Sequence, residues 1–184
     1  MTNEKSAILI IDMINDFVSP GGALVMPRAV EIIKPIKQIL QVARGYNLPI
    51  YLLNDAHDED DYEFKSWRKH GIKGTWGAQI TPELSLQPKD IIIEKTRYSG
   101  FYNTKLGEIL AKEGIKRTYL AGVASSICVL STALDSKMRD ISTTVISDLT
   151  RGINDEDHKA VDIVGRICGI NYKTLNEVLE EIKC

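Results

Sequence analysis

The stretch Ala121-Gly122-Val123-Ala124-Ser125-Ser126-Ile127-Cys128 carries a thiol out of an apolar run and into an amphipathic one. Its small residues read as a turn between a strand and a helix. The helix has apolar positions Ile127, Leu130, Leu134 and Met138, with Ser125 or Ser126 as its cap. Cys128 then falls in the first helical turn, where exposed backbone N–H groups and the helix dipole favour a thiolate and can stabilise an oxyanion. Two readings stay open on this motif alone: a nucleophile, or a small residue packing a strand–helix junction.

Asp12 and Lys95 bear on that choice. Each follows a short apolar run, and each has a bland alternative, Asp12 as the start of a turn and Lys95 as a solvated surface group. Placed beside Cys128, a buried carboxylate can take the thiol proton and return it to a leaving amine. A nearby ammonium lowers the pKa of both groups and favours the thiolate. Histidine is not required for this chemistry. A second constellation is Asp55-Ala56-His57 with His70, one carboxylate and two imidazoles, suited to zinc, manganese or iron with coordination positions left open. Its alternative is a solvated acidic loop, because Asp58, Glu59, Asp60 and Asp61 crowd the same segment.

The elements that must position these groups alternate. Ser6 to Asp12, Leu48 to Leu53, Ile91 to Glu94, Arg117 to Ala121 and Ile141 to Ile146 read as buried strands, with amphipathic stretches between most of them. This pattern implies an α/β fold with a parallel sheet covered by helices, in which ligands bind outside the carboxyl ends of the strands. Asp12, Asp55, Lys95 and Cys128 all fall there. Ile32, Ile36, Ile39, Leu40 and Ala43 predict a helix with Pro35 near its start or at a kink. Asn103 is a candidate cap for a helix carrying Leu106, Ile109 and Leu110 and stopped by Gly114. Thr174 and Glu177 form a capping box ahead of Leu175, Val178, Leu179 and Ile182. The stretch 54–89 lacks periodicity and reads as a site-forming loop.

A chain of 184 residues can close one sizeable core but is too short for two ordinary domains without a linker, so a single domain over 1–184 is expected. With 43% hydrophobic and 26% charged residues and a formal net charge of -2, neither disorder nor a nucleic-acid partner is expected. No apolar run approaches the roughly 20 residues of a membrane helix, and the polar start of the chain lacks the apolar core of a secretory signal. The expected location is cytoplasmic, with no membrane partner. Three scattered cysteines, Cys128, Cys168 and Cys184, suggest neither a disulfide framework nor a cysteine zinc site. Cys168 is expected to be a buried, inert thiol, Cys184 incidental, and His158 a surface residue. No Gly-x-Gly-x-x-Gly follows the first strand, which argues against a dinucleotide binder on the same architecture.

Over nearly its whole length the sequence resembles the isochorismatase-like cysteine hydrolases, a family that includes nicotinamidases, N-carbamoylsarcosine amidases and ureidoacrylate-type hydrolases. The matching stretches are Ile11-Asp12-Met13-Ile14-Asn15-Asp16-Phe17 with Gly21-Gly22-Ala23-Leu24, the lysine of Ile93-Glu94-Lys95, and Gly122 to Val129 followed by Ser131-Thr132-Ala133-Leu134-Asp135. The resemblance implies a three-layer α/β/α, Rossmann-like architecture with a mostly parallel sheet. It assigns Asp12 as general acid and base, Lys95 as its electrostatic partner and Cys128 as nucleophile, attacking a small amide and releasing its C–N bond through a thioester. It also implies a cis peptide at Val123-Ala124, with the Ala124 and Cys128 backbone N–H groups forming an oxyanion hole.

The resemblance further strengthens Asp55, His57 and His70 as ligands of one divalent ion, zinc ahead of manganese or iron. In nicotinamidases an Asp-x-His is followed by a later His and a Gly-Thr turn, here His70-Gly71-Ile72-Lys73-Gly74-Thr75. Phe17 and Trp67 match pocket-lining aromatics, although either could be an ordinary core residue. The stretch Thr96-Arg97-Tyr98-Ser99-Gly100-Phe101 departs from the nicotinamidase pattern toward ureido-cleaving members, with Tyr98 a substrate contact. The metal set therefore favours a pyridine-type amide and the Tyr98 region favours an N-carbamoyl or ureido substrate. A non-catalytic binding protein on the same fold ranks below both. A homodimer or larger homo-oligomer is implied by the resemblance.

Overall fold

The computed structural model describes residues 4–183, with the side chains of Asp155, His158 and Ala160 left aside; the expectations for Cys184 and for the His158 side chain lie outside the described residues. The apolar runs form strands β1 (Ser6–Ile11), β2 (Ile50–Asp55), β3 (Ile91–Lys95), β4 (Arg117–Val123) and β5 (Ser142–Arg151), joined by a short β6 (Asn171–Lys173). They pair in the order β3-β2-β1-β4-β5-β6, every neighbour parallel. β1 lies inside the sheet and all its residues from Ala7 to Ile11 are buried, which explains its unbroken apolar run.

Alternating residues of the strands feed two cores. On one face Ile8, Ile10, Leu52, Tyr119 and Ala121 pack against α2 (Val30–Gly45), through Ile32, Ile36, Ile39 and Leu40, and against α6 (Leu175–Lys183), through Leu175, Val178 and Leu179. On the other, Leu9, Ile11, Leu53, Leu120 and Val145 meet Leu106 and Leu110 of α3 (Leu106–Glu113) and Ala133 of α4 (Leu130–Lys137). Each fully buried Ile or Leu contributes about 1.5–3 kcal/mol, so the two apolar layers hold the strand ends in place without help from the site. The remaining helices are a single turn α1 (Asn15–Val18) and α5 (Asp155–Ile167).

The ends of α3 and α6 follow the expected chemistry with one exception. Gly114 closes α3 at φ 71 and Glu177 bonds back to the Thr174 N–H at 2.7 Å. Asn103, expected to cap α3, stands instead in the left-handed region at φ 51, and Thr104 Oγ1 accepts from Leu106 N at 3.2 Å. Pro35 sits in the second turn of α2, where the missing N–H leaves the Glu31 carbonyl without its intrahelical partner.

Two expectations of burial fail. Met138 is exposed, while the inner face of α4 consists of Thr132, Ala133 and Ser136. The floor beneath it is polar: Thr118 and Thr143 Oγ1 meet Ser136 Oγ at 3.1 and 2.9 Å, and Thr132 Oγ1 accepts from Gly100 N at 3.0 Å. Hydroxyls that satisfy one another can be buried, and a hydrophobicity pattern cannot register them. Cys168 is exposed rather than buried. It stands past the end of α5, at a turn completed by Gly169 with φ 75, while α5 makes its inward contact through Val161 and through Gly165, whose missing side chain leaves room for the Tyr172 ring. The strand β6 is too short to be read from the sequence.

Candidate active site

The carboxyl ends of β1, β2, β3 and β4 converge on one cluster. Asp12 follows β1 with φ 53, and its N–H donates to the Leu53 carbonyl at 2.9 Å. Asp12 Oδ1 accepts from the Asp55 N–H at 2.8 Å, and Asp12 Oδ2 lies 2.8 Å from Lys95 Nζ. The same ammonium is 2.5 Å from Asp55 Oδ1 and 3.6 Å from Cys128 Sγ. Gly122 permits this crowding: at φ 119, a Cβ there would sit 2.0 Å from the Ile11 carbonyl oxygen. Only glycine lets the exit of β4 press against the end of β1 beside Asp12.

The Val123-Ala124 peptide is cis. Beyond it the chain enters a π-helical turn, Ser125–Val129, with Ala124 as its cap and no side-chain cap hydrogen bond, which corrects the expected serine cap. The wide turn is closed by Val129 N donating to the Ala124 carbonyl at 3.1 Å, and such turns concentrate at functional sites. Cys128 is thereby aimed inward, only 7% exposed.

Burial dominates the electrostatics. It raises the Asp12 carboxyl to about 6; the Asp55 charge adds to that and Lys95 opposes it. Burial alone would lower Lys95, but the Asp12 and Asp55 carboxylates hold it well above its ordinary value. Burial works to raise Asp55, yet Lys95 and the bonds to His57 and His70 hold it well below the usual carboxylate range. The Cys128 thiol is pushed well up by burial, with Lys95 opposing and both carboxylates adding. Lys95 therefore does not produce a resting thiolate, contrary to the expectation from its charge alone: it is outweighed by desolvation and by two anions. At neutral pH the resting pair is a thiol beside an ionised Asp12, and the two side chains interact.

Asp55 also faces a second cluster. Its Oδ2 lies 3.7 Å from His57 Nε2 and 3.6 Å from His70 Nε2, and His70 Nε2 is 3.8 Å from Glu63 Oε1. The four donors are buried and lie within 4.8 Å of one another. His57 Nδ1 is 3.1 Å from Asp61 Oδ2 and His70 Nδ1 is 2.6 Å from the Arg68 carbonyl. Both rings thus have their Nδ1 occupied and their Nε2 turned to the shared centre, and among the described residues nothing lies within hydrogen-bonding distance of His57 Nε2 or Glu63 Oε2. These residues fit a divalent cation. Asp12, Asp55 and Cys128 also lie close together, but the Lys95 ammonium already sits among them and repels a second cation. Glu63 was missed in the sequence: it lies in an acidic, aperiodic stretch, and only the one-turn 3-10 helix Tyr62–Lys65 turns it inward. Asp16 was missed as well. Its buried carboxylate accepts from Gly71 N and Ala23 N at 2.8 and 2.9 Å, tying the residue after His70 to the end of α1.

A narrow cleft opens between the two clusters, lined by Phe17, Leu24, Met26, Trp67, Tyr98, Ala124, Ile127 and Cys128 together with Asp55, Glu63 and His70. Phe17, Trp67 and Tyr98 all reach this wall; Trp67 Nε1 donates to Tyr98 Oη at 3.1 Å, and the Phe17 ring packs on His70 with centroids 5.2 Å apart. Arg97 does not line the cleft, being held by Asp61 at 2.9 Å.

Comparison with known proteins bears on the family and the fold. Residues 6–161 match the isochorismatase domain. A ureidoacrylate amidohydrolase, RutB, from Caulobacter segnis is 31% identical over 173 residues, covering 80% of this chain and 72% of that protein. The structure of an isochorismatase-like hydrolase from Alkaliphilus metalliredigens superposes with a TM-score of 0.92 at 33% identity, covering 96% and 98% of the two chains. That of a pyrazinamidase from Pyrococcus horikoshii in complex with zinc gives 0.88 at 30% identity, covering 92% and 99%. With its parallel sheet, its Asp12-Lys95-Cys128 cluster and these matches, the chain belongs to the isochorismatase family and is an isochorismatase-like hydrolase.

Proposed function

We propose that this hydrolase is a metal-containing amidase acting on the carboxamide of a small, neutral heteroaromatic compound of the nicotinamide or pyrazinamide type. The observation that carries this reading is the cleft: aromatic and aliphatic walls join Cys128 to the Asp55, His57, Glu63 and His70 cluster, and no Lys or Arg is among the residues lining it. A flat, uncharged ring suits such walls, and no basic side chain lines them to receive the acid group of an anionic substrate.

In this proposal Phe17, Trp67 and Tyr98 hold the ring, and Asp55, His57, Glu63 and His70 hold one divalent ion, zinc by the donor set. When bound, that ion supplies a Lewis-acidic anchor for a ring nitrogen. Cys128 Sγ attacks the amide carbon as its proton passes to Asp12. The Ala124 and Cys128 N–H groups face the developing oxyanion. Asp12 returns the proton to the nitrogen, the C–N bond breaks, and ammonia leaves a thioester on Cys128. Water then attacks the thioester, giving one proton to Asp12; the acid departs and the thiol re-forms with that proton. Lys95 keeps Asp12 and Asp55 compatible at close range.

The second reading, a ureido or carbamoyl amidohydrolase, is favoured by the likeness to the Caulobacter ureidoacrylate amidohydrolase. It uses the same triad but needs a cation for the substrate acid, and Arg97 is engaged by Asp61. Elemental analysis of protein purified without chelator, with ammonia release from nicotinamide and from an N-carbamoyl amino acid before and after metal removal, separates the two. Metal-dependent nicotinamide hydrolysis supports the first; a metal-free protein that hydrolyses the N-carbamoyl compound overturns it. The proposal includes a cytoplasmic homodimer or larger assembly, the second part checked by light scattering.

A further inference from the structure

We propose that Asp61 is the positioning residue of the metal cluster, setting the His57 ring and the Glu63 turn together, with Arg97 moderating its charge. The inference rests on the metal-bearing reading above. In a run of four acids, Asp58, Glu59 and Asp60 are exposed while the Asp61 side chain is 10% exposed, so one carboxylate of an apparently solvated segment is turned inward.

Its two oxygens divide the work. Asp61 Oδ2 faces His57 Nδ1 at 3.1 Å; a carboxylate acceptor there keeps the proton on Nδ1 and the lone pair on Nε2, the atom that points to Asp55 from 3.7 Å and has no hydrogen-bond partner among the described residues. Asp61 Oδ1 accepts from Glu63 N at 2.9 Å and so caps the 3-10 helix that carries Glu63. One side chain therefore orients one ligand and anchors the turn of another. His70 differs, since its Nδ1 meets the neutral Arg68 carbonyl. Arg97 Nη1 reaches both Asp61 oxygens, at 2.9 and 3.2 Å, and also donates to the Thr96 carbonyl. Its charge draws on the carboxylate that polarises His57, and it ties the exit of β3 to the metal loop.

The test compares the parent protein with Asp61→Ala, Asp61→Asn and Arg97→Met by zinc affinity, measured in competition with a chromophoric chelator, and by imidazole ¹⁵N shifts in zinc-free protein at a pH where the rings are neutral. Asp61→Ala should lose roughly 10- to 100-fold in zinc affinity and show His57 as a mixture of tautomers. Asp61→Asn keeps an acceptor for Glu63 N, so an intermediate loss there cannot come from an uncapped turn. Arg97→Met should bind zinc at least as tightly as the parent, and weaker binding would overturn its moderating role. Zinc affinity within twofold of the parent in Asp61→Ala, with His57 still a single Nδ1–H tautomer, would overturn the proposal. If the parent itself binds no zinc, the metal-bearing reading fails, and the tautomer of His57 in zinc-free Asp61→Ala still decides what Asp61 does.

Discussion

Asp55 divides itself between two sites: Oδ1 lies 2.5 Å from Lys95 Nζ, while Oδ2 faces both imidazole Nε2 atoms. Lys95 therefore balances two buried carboxylates, Asp12 and Asp55, that would otherwise repel across the end of the sheet. Lys95→Met leaves both uncompensated. Breaking a buried ion pair from one side costs about 3–5 kcal/mol, so the melting temperature should fall on the order of 10 °C. Thiolate absorbance should appear at still higher pH than in the parent. An unchanged melting curve would remove Lys95 from this role.

The pH dependence follows from Asp12. Only its carboxylate form can take the thiol proton, and its pKa is raised to about 6 by burial. Activity, as kcat/KM, should thus be lost as pH falls through about 6 and reach a plateau above it. Cys128 and Lys95 are both held well above their ordinary values, so no alkaline limb is expected near neutrality. Asp12→Asn should cost about 10²- to 10⁴-fold in rate. An acid limb at the ordinary aspartate value would show that another group is the base.

Thiol labelling should separate access from function. Cys168 is exposed and Cys128 buried with a raised pKa, so iodoacetamide followed by peptide mapping should find Cys168 modified before Cys128. Substrate should protect Cys128 alone. Cys128→Ala should lower turnover at least about 10³-fold and leave folding almost unchanged, because the residue fills a small space at a strand–helix junction.

Metal loading should be graded by donor. His57→Ala combined with His70→Ala should abolish zinc binding, and Glu63→Gln should retain less zinc than the parent at equal free metal. Circular dichroism should show the fold intact in both, since the two apolar layers on the faces of the sheet are built mainly from strand and helix side chains. Collapse of the fold on chelation would contradict this separation.

Trp67 offers a test of the cleft wall. Trp67→Phe removes the bond to Tyr98 Oη, a contact of about 0.5–1.5 kcal/mol, and should raise KM for a heteroaromatic amide several-fold with kcat nearly unchanged. A change confined to kcat would place Trp67 in the chemistry instead of in binding.

The sequence by itself determined the layers and the groups that meet at the sheet edge. Five apolar runs of strand length, separated by helical periodicities, are enough to require a parallel sheet, because only burial on both faces makes a run such as Ala7 to Ile11 uniformly apolar. Asp12, Lys95 and Cys128 were legible because each follows such a run, and a parallel sheet brings those ends to one edge. Asp55, His57 and His70 were legible as donor types. Glu63, Asp16 and Asp61 were not, since an acid in an aperiodic loop gives no sign of which way it turns; a 3-10 turn and backbone N–H groups from distant loops decided that. The tertiary structure also decided protonation. The charge of Lys95 suggested a thiolate, but desolvation outweighed it, and desolvation depends on what the rest of the chain packs around a group. The exposed Met138 and the buried Thr132 and Ser136 carry the same lesson: a helix buries the face its neighbours can satisfy, and those neighbours, Thr118 and Thr143, come from strands far along the chain.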